Sequence, residues 1–128
     1  MVVILYGQQI KTMSVDDLKN NMRRKDKAML ILDARNAEAF EKGHIPGAMN
    51  VFDPEIMSLA KDFDKNLNIC VYGPGQASPS PGMMDRLAGD ASKRLMDMGF
   101  KNVSVLNGGF EAWANSGNRV DATMRKMA

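Results

Sequence analysis

Residues 68 to 99 read NICVYGPGQASPSPGMMDRLAGDASKRLMDMG: an apolar run, a proline-rich segment and a periodic segment follow one another. The apolar run from Leu67 to Tyr72 is typical of a strand buried on both faces of a sheet. In the periodic segment, apolar residues recur at spacings of three and four, which predicts an amphipathic helix that ends before Gly99. The apolar stripe of that helix consists of Met84, Leu87, Ala91, Leu95 and Met98.

The same alternation of strands and helices extends in both directions from this stretch. Apolar runs predict further strands over residues 2–6, 28–32, 48–52 and 103–106. Capping residues and periodicity predict helices that begin after Ser14, near Ala37, at Asp53-Pro54 and at Gly108-Gly109. Alternating elements of this kind favour a single α/β domain with a mostly parallel central sheet and helices on both faces. We expect one domain over residues 1–128, with a core from about 10 to 118 and a short N-terminal strand and a C-terminal tail outside it.

The composition of the 128 residues excludes several classes of protein. Apolar residues make up 45% and charged residues 25%, values that are ordinary for a globular domain. The net charge of +2 is small, and the two basic clusters, at residues 23–25 and 125–126, have no aromatic residues interleaved, so we expect no nucleic-acid partner. The apolar run 2–6 is too short to span a bilayer, and we expect no membrane contact.

One cysteine, Cys70, and one histidine, His44, limit the available chemistry. A single cysteine excludes an internal disulfide, and the two residues together cannot form a Cys/His zinc site. We therefore expect no metal, no cofactor and a cytoplasmic location.

The loop after Tyr72 occupies the place of an active site, because ligands in α/β folds bind at the carboxyl ends of the strands. From Gly73 to Gly82 it contains no Cys, His, Lys, Arg, Asp or Glu. Its prolines have no N–H group with which to bind an anion, and it lacks the lysine of a phosphate-binding loop. The candidate contact residues of this region are Gly73, Pro74, Gly75, Gln76, Ala77, Ser78, Ser80, Met83 and Met84.

Two sets of motifs flank this loop. LDAR at residues 32–35 and GHIPGAMNV at 43–51 precede it, whereas GFKNV at 99–103, the pair Gly108-Gly109 and Trp113 follow it. In this order the motifs resemble those of a rhodanese domain, and the resemblance extends from Met13 to Gly117. The resemblance implies an α/β domain related to sulfurtransferases. It also implies structural roles for Asp33, Arg35, His44, Gly47, Gly108, Gly109 and Trp113.

The resemblance fails at the position of the nucleophile. Rhodanese domains that transfer sulfur carry it as a persulfide on a cysteine that directly follows a strand, usually after a tyrosine. Tyr72 is present here, but the next residue is Gly73. The resemblance therefore implies a homologue without the catalytic cysteine, and we can assign no catalytic residue.

Three residues could be considered as substitutes for the missing nucleophile. Cys70 lies within the predicted strand, where a cysteine usually behaves as a small buried apolar residue with a raised pKa. Ser78 and Ser80 lack a serine-nucleophile motif, and Ser80-Pro81 resembles the start of the next helix. The sequence thus favours a non-catalytic rhodanese-homology module that binds an unidentified protein as a monomer or weak homodimer. The alternative is an active thiosulfate or persulfide sulfurtransferase that uses Cys70 or a partner's cysteine.

Overall fold

The central feature of the computed structural model is a six-stranded sheet in the order β1-β2-β6-β5-β3-β4. The structure describes residues 2–5, 8–24, 28–52, 57–58, 60–75 and 86–122, with only the backbone for residues 2–5 and 8–9. Five strands run parallel, and β1 pairs antiparallel with β2 at one edge. The strands are β1 (Val2–Leu5), β2 (Gln8–Met13), β3 (Met29–Asp33), β4 (Met49–Asn50), β5 (Asn68–Tyr72) and β6 (Asn102–Leu106).

Four helices connect or follow these strands in the described residues. They are α1 (Val15–Arg23), α2 (Ala37–Lys42), α3 (Arg86–Asp97) and α4 (Gly109–Asn115). The Ser14 hydroxyl caps α1 by accepting a hydrogen bond from Asp17 N at 3.0 Å, as its position in the sequence predicts. The predicted helix from Asp53 to Ala60 falls largely outside the described residues.

The sheet divides the core into two layers, one on each face. Val71 and Val105 pack with Leu95 of α3 on the first face. On the second face, Tyr72 packs with Leu18 of α1, Trp113 of α4 and other residues. The predicted α/β architecture, with a mostly parallel sheet between helices, is therefore confirmed.

Several predicted elements differ from those observed. Strand β2 was not predicted, although its Ile10 is fully buried. The strand predicted over residues 48–52 is reduced to β4, which has two residues. The buried face of α3 consists of Ala88, Gly89, Ser92 and Leu95, whereas Leu87 of the predicted stripe is 45% exposed. In the described part of the chain, no helix has the length and apolar character that crossing a membrane requires.

Candidate functional site

Cys70 lies in the interior of the sheet. It is the third residue of β5, between Ile31 of β3 and Ser104 of β6, and its side chain is fully buried in the second core layer. Burial raises the pKa of the thiol from 9.0 to about 12, because an apolar environment disfavours the thiolate. At neutral pH this sulfur is a protonated group of the core.

The first residues of the loop after β5 pack against the beginning of α4. Phe110 N donates a hydrogen bond to Gly73 O at 2.9 Å, and Glu111 N donates one to Pro74 O at 3.2 Å. Gly73 is buried and Pro74 is exposed. These two N–H groups at the start of α4 are therefore bound to the loop backbone.

Glycines make this close approach possible. Gly75 has φ +75°, and a Cβ atom there would overlap the carbonyl oxygen of Gly108. A Cβ atom on Gly109 would lie only 2.6 Å from Gly73 O. The pair Gly108-Gly109 thus admits the loop that follows β5. The other candidate contact residues, Gln76, Ala77, Ser78, Ser80, Met83 and Met84, lie outside the described residues.

Asp33 and Arg35 form a buried ion pair at the end of β3. Arg35 Nη2 lies 2.7 Å from Asp33 Oδ2, and Arg35 Nε lies 3.1 Å from both carboxylate oxygens. Arg35 Nη2 also donates to Gly43 O, and the guanidinium carbon lies 4.1 Å from the centre of the Phe110 ring. The pair joins β3 to the end of α2 and to α4, so its charges are already bound within the protein.

The Tyr72 hydroxyl is part of the same buried cluster. It accepts a hydrogen bond from Ile45 N at 3.1 Å. Burial raises the pKa of Tyr72 most, and a hydrogen bond to Asp33 and the negative charge of Asp33 raise it further; Ile45 N–H and Arg35 oppose the change. Tyr72 is therefore a neutral packing and hydrogen-bonding residue.

Both the ring and the main chain of His44 are bonded to other residues of the protein. Its ring stacks on Phe40 with 3.9 Å between centroids, and its Nδ1 lies 2.8 Å from Phe40 O. Its main chain exchanges two hydrogen bonds with Asp121, of 2.8 and 2.9 Å. Gly47, with φ +82°, lies in the turn between His44 and β4.

Two further side chains donate hydrogen bonds to backbone carbonyl groups. Asn50 Nδ2 donates to Arg35 O at 2.8 Å and to Asp33 O at 3.2 Å. Trp113 Nε1 donates to Arg119 O at 2.7 Å, and this hydrogen bond connects the segment after α4 to that helix. Sequence reasoning did not single out Asn50 or Phe110, although Asn50 lies within the motif at residues 43–51.

Asp33, Arg35, Asn50 and Tyr72 therefore form a buried polar cluster whose members bind one another. Among the described residues, no group of three or more His, Cys, Asp or Glu side chains is placed to hold a metal ion. Cys70 is separated from solvent, and the only histidine bonds to Phe40 O. The ion pair reaches the start of the loop after β5 through Phe110, which lies against Arg35 and whose N–H donates to Gly73 O.

Comparison with known proteins identifies the architecture. A family model described as a rhodanese-like domain matches residues 14–116. The chain belongs to the rhodanese-like domain family. The match contains β3 to β6, the four described helices and the residues Asp33, Arg35, Asn50 and Tyr72, and it leaves β1 and β2 outside.

Solved structures resemble this rhodanese-like domain over most of its length. The rhodanese-like domain of the Alr3790 protein from Anabaena is 28% identical, with a TM-score of 0.70, over 91% of this chain and 84% of the other. The BH2092 protein from Bacillus halodurans is 26% identical, with a TM-score of 0.71, over 91% and 85% of the two chains. Thiosulfate sulfurtransferase from Pseudomonas aeruginosa is 25% identical, with a TM-score of 0.71, over 88% of this chain but only 20% of that enzyme.

Proposed function

We propose that this rhodanese-like domain is a non-catalytic protein-interaction or regulatory module in a process related to sulfur transfer. The observation that carries the proposal is the position of Cys70, the only cysteine of the chain. Its side chain is fully buried in β5, with one neighbouring strand on each side. A sulfur donor cannot contact this atom unless the core layer that covers it, which includes Leu18 of α1 and Trp113 of α4, opens.

The ionisation of Cys70 supports the same conclusion. The thiolate is the nucleophile in sulfur transfer, and a pKa of about 12 leaves on the order of one molecule in 10⁵ ionised at pH 7. Burial and protonation therefore act together against attack on thiosulfate or on a protein persulfide.

The residue that follows β5, Gly73, provides further support. Gly73 follows Tyr72 directly, where the resemblance places the nucleophile of active family members, and it has no side chain. Its carbonyl oxygen accepts the Phe110 N–H, and Pro74 contributes no N–H to the start of the loop. The alternative function, sulfur transfer through Cys70 or a partner's cysteine, would need either an accessible Cys70 thiolate or a reactive sulfur brought by the partner.

The direct test is a sulfurtransferase assay. The purified protein and a Cys70→Ala variant are incubated with thiosulfate and cyanide, thiocyanate is measured, and intact mass reports any added sulfur atom. We expect both proteins to remain at the uncatalysed rate and neither to gain sulfur. Thiocyanate formation that is lost in Cys70→Ala would overturn the non-catalytic assignment.

A second variant tests whether the scaffold lacks only the thiol. Gly73→Cys places a cysteine directly after β5. We expect little activity from it, because the sequence between Lys65 and Arg86 contains no cation to stabilise a thiolate. Activity comparable with that of an authentic thiosulfate sulfurtransferase, assayed in parallel, would contradict this expectation.

A further inference from the structure

The two edges of the sheet differ in length and composition. Strand β4 forms one edge and has only two residues, Met49 and Asn50. Strand β1 forms the other edge, and its four residues, Val2–Leu5, are all apolar. Of the described strands, only β2 pairs with β1, so the other side of the β1 backbone has no partner strand. A very short edge strand offers few groups for pairing, whereas β1 offers a longer row of them.

Strand β1 lacks the features with which proteins usually prevent an edge strand from pairing. Such features include charged side chains, proline and β-bulges. None of its four residues is charged or is a proline. The register with β2 runs without interruption from Val2 opposite Lys11 to Leu5 opposite Gln8, so these four residues contain no bulge. The outer side of β1 is therefore a regular extended backbone.

The backbone of β1 determines the chemistry of what binds there. In a strand, the N–H and C=O groups of successive residues point to opposite sides, so every second residue of β1 directs both groups away from β2. A row of alternating donors and acceptors is complementary to another extended backbone, which pairs with it by strand addition. The occupant that satisfies this edge is therefore a β-strand.

The strands of the protein itself narrow the choice of occupant. Strands β2 to β6 of the same chain already lie in the sheet, so none of them is available to extend it beyond β1. Strand β4 of a second copy would pair through two residues only, in a contact that does not close on itself. Strand β1 of a second copy pairs over its whole length about a twofold axis, which gives a closed contact.

The uncharged sequence of β1 suits pairing with itself. Antiparallel pairing of two copies brings apolar residues opposite apolar residues at every position, and cross-strand pairs of this kind stabilise a sheet. Like charges do not face each other in the contact, because Lys11 lies one strand away from it, in β2. No charge in these four residues selects a charged strand of another protein.

Symmetry restricts the register of such a pair. Residues opposite one another in a sheet lie on the same face, and a twofold axis perpendicular to the sheet keeps each residue on its own face. Because neighbouring residues of a strand lie on opposite faces, Val3 cannot pair with Ile4 of the second copy. The registers that pair most of β1 therefore place the axis beside Val3 or beside Ile4, and that residue faces its own copy.

We propose that the protein forms a homodimer through antiparallel pairing of two β1 strands, which joins the two six-stranded sheets into one continuous sheet. The residue on the twofold axis is Val3 or Ile4. Strands β2 and β6 separate β1 from β5, so the contact lies apart from the loop after β5. The proposal therefore goes beyond the proposed function and is independent of whether the domain transfers sulfur.

Analytical ultracentrifugation of the full chain measures the dimer directly. We expect a reversible equilibrium that shifts from monomer to dimer as the protein concentration rises to the millimolar range. Ile4→Lys places a charge in the contact and should weaken dimerisation at least tenfold. Ile4 lies opposite Gln9, on the same face as the exposed Lys11, whereas Val3 lies opposite the fully buried Ile10. The fold is therefore expected to accept a lysine at position 4.

Gln9→Lys is the matched control for this variant. It adds the same charge to the same face, in β2, one strand away from the contact. It should change the dimerisation constant less than threefold. Circular dichroism checks that both variants are folded.

Disulfide cross-linking tests the register without adding charge. Val3→Cys and Ile4→Cys are each made in a Cys70→Ala background and treated with a mild oxidant. Directly opposite residues have Cα atoms about 4.5 to 5.5 Å apart, within the range that a disulfide spans. We expect one of the two variants to form a covalent dimer rapidly. The other should not, because its cysteine is offset from its copy by two positions, beyond the reach of about 7 Å.

Lys101→Cys in the same background is the control for random collisions, since Lys101 is exposed and lies between α3 and β6. It should remain monomeric at the same concentration. If Ile4→Lys does not fold, the cross-linking experiment decides the question by itself.

Three results would overturn the proposal. The first is a protein that stays monomeric up to millimolar concentration, which would leave the β1 edge to a strand of another protein. The second is a dimer on which folded Ile4→Lys and Gln9→Lys have the same effect, which would place the contact elsewhere. The third is cross-linking of Val3→Cys and Ile4→Cys that is no faster than that of Lys101→Cys.

Discussion

Gly75 shows how a single residue sets the distance between the loop and α4. Its φ of +75° lies in the left-handed region, and the position of its missing side chain is occupied by Gly108 O. Two separate costs therefore oppose any other residue there. One is the backbone conformation, and the other is the overlap with the neighbouring carbonyl group.

These two costs can be measured separately. We expect Gly75→Ala to lower the free energy of unfolding by about 2 to 4 kcal/mol, from about 1 kcal/mol of backbone strain and the rest from overlap. Gly47→Ala is the matched control, because Gly47 has φ +82° but nothing within 4 Å of a Cβ atom. It should cost only about 1 kcal/mol, measured by urea denaturation. Equal losses in the two variants would show that the overlap is relieved without cost.

The sequence motifs indicated which glycines have a structural role, but not which residues those glycines contact. The pair Gly108-Gly109 was expected to be structural, but its contact with Gly75 joins distant parts of the chain and leaves no local pattern. The same holds for Asn50, whose amide binds carbonyl groups at the end of β3. Residue types and spacing indicate which positions are special, whereas the contact itself depends on the packed structure.

Strand β5 carries two weakly acidic side chains, those of Cys70 and Tyr72, on one face. Cys70 and Tyr72 both lie in the second core layer, and burial raises both pKa values. The unfolded chain therefore releases protons at a lower pH than the folded protein does. The contribution of these two groups to the free energy of unfolding is fully present below about pH 9. It is lost as the pH rises, because ionisation favours the unfolded state.

The expected loss of stability at high pH can be tested by urea denaturation between pH 7 and pH 11. Above pH 9, Cys70 alone should lower the free energy of unfolding with a slope that approaches about 1.4 kcal/mol per pH unit near pH 10, and Tyr72 should add to the loss above its ordinary pKa of 10.0. Cys70→Ala should show a shallower decline over the same range. Parallel curves for the two proteins would mean that the thiol ionises as readily in the fold as outside it.

For helix α3, the spacing of apolar residues predicts the helix but not its buried face. The spacing of Leu87, Ala91 and Leu95 predicted the helix, but it selected a stripe displaced from the buried face. Apolar periodicity favours large residues, whereas this helix packs through Ala88, Gly89 and Ser92. Strand β2 was missed for a related reason, since Ile10 stands among polar residues and is buried by packing in the core layer that contains Val103 and Val105 of β6.

In the whole molecule, strands β1 and β2 lie before the residues that the family model matches. The family match begins at residue 14, after both strands. The two strands nevertheless differ in their contribution, because β2 pairs with β6 and supplies the fully buried Ile10, whereas β1 contacts the sheet only through β2. We infer that β2 is part of the folding unit and that β1 is dispensable.

Two truncated proteins test this inference. A chain that starts at Gln8 should retain cooperative unfolding, with a loss of about 1 to 2 kcal/mol from the missing strand pair. A chain that starts at Ser14 also loses Ile10, whose burial alone contributes about 1.5 to 3 kcal/mol, and leaves β6 at the edge of the sheet. It should be less stable than the first by at least that amount. Circular dichroism and urea denaturation provide the measurement, and equal stability of both chains would place the boundary after β2.

The burial of Cys70 has a practical consequence for studying the protein. Because the chain contains one sulfhydryl group and β5 holds it between two strands, the rate of its modification by a thiol reagent reports how often the middle of the molecule opens. No engineered label is needed. The rate at which this buried sulfur reacts therefore measures how often the folded protein opens locally.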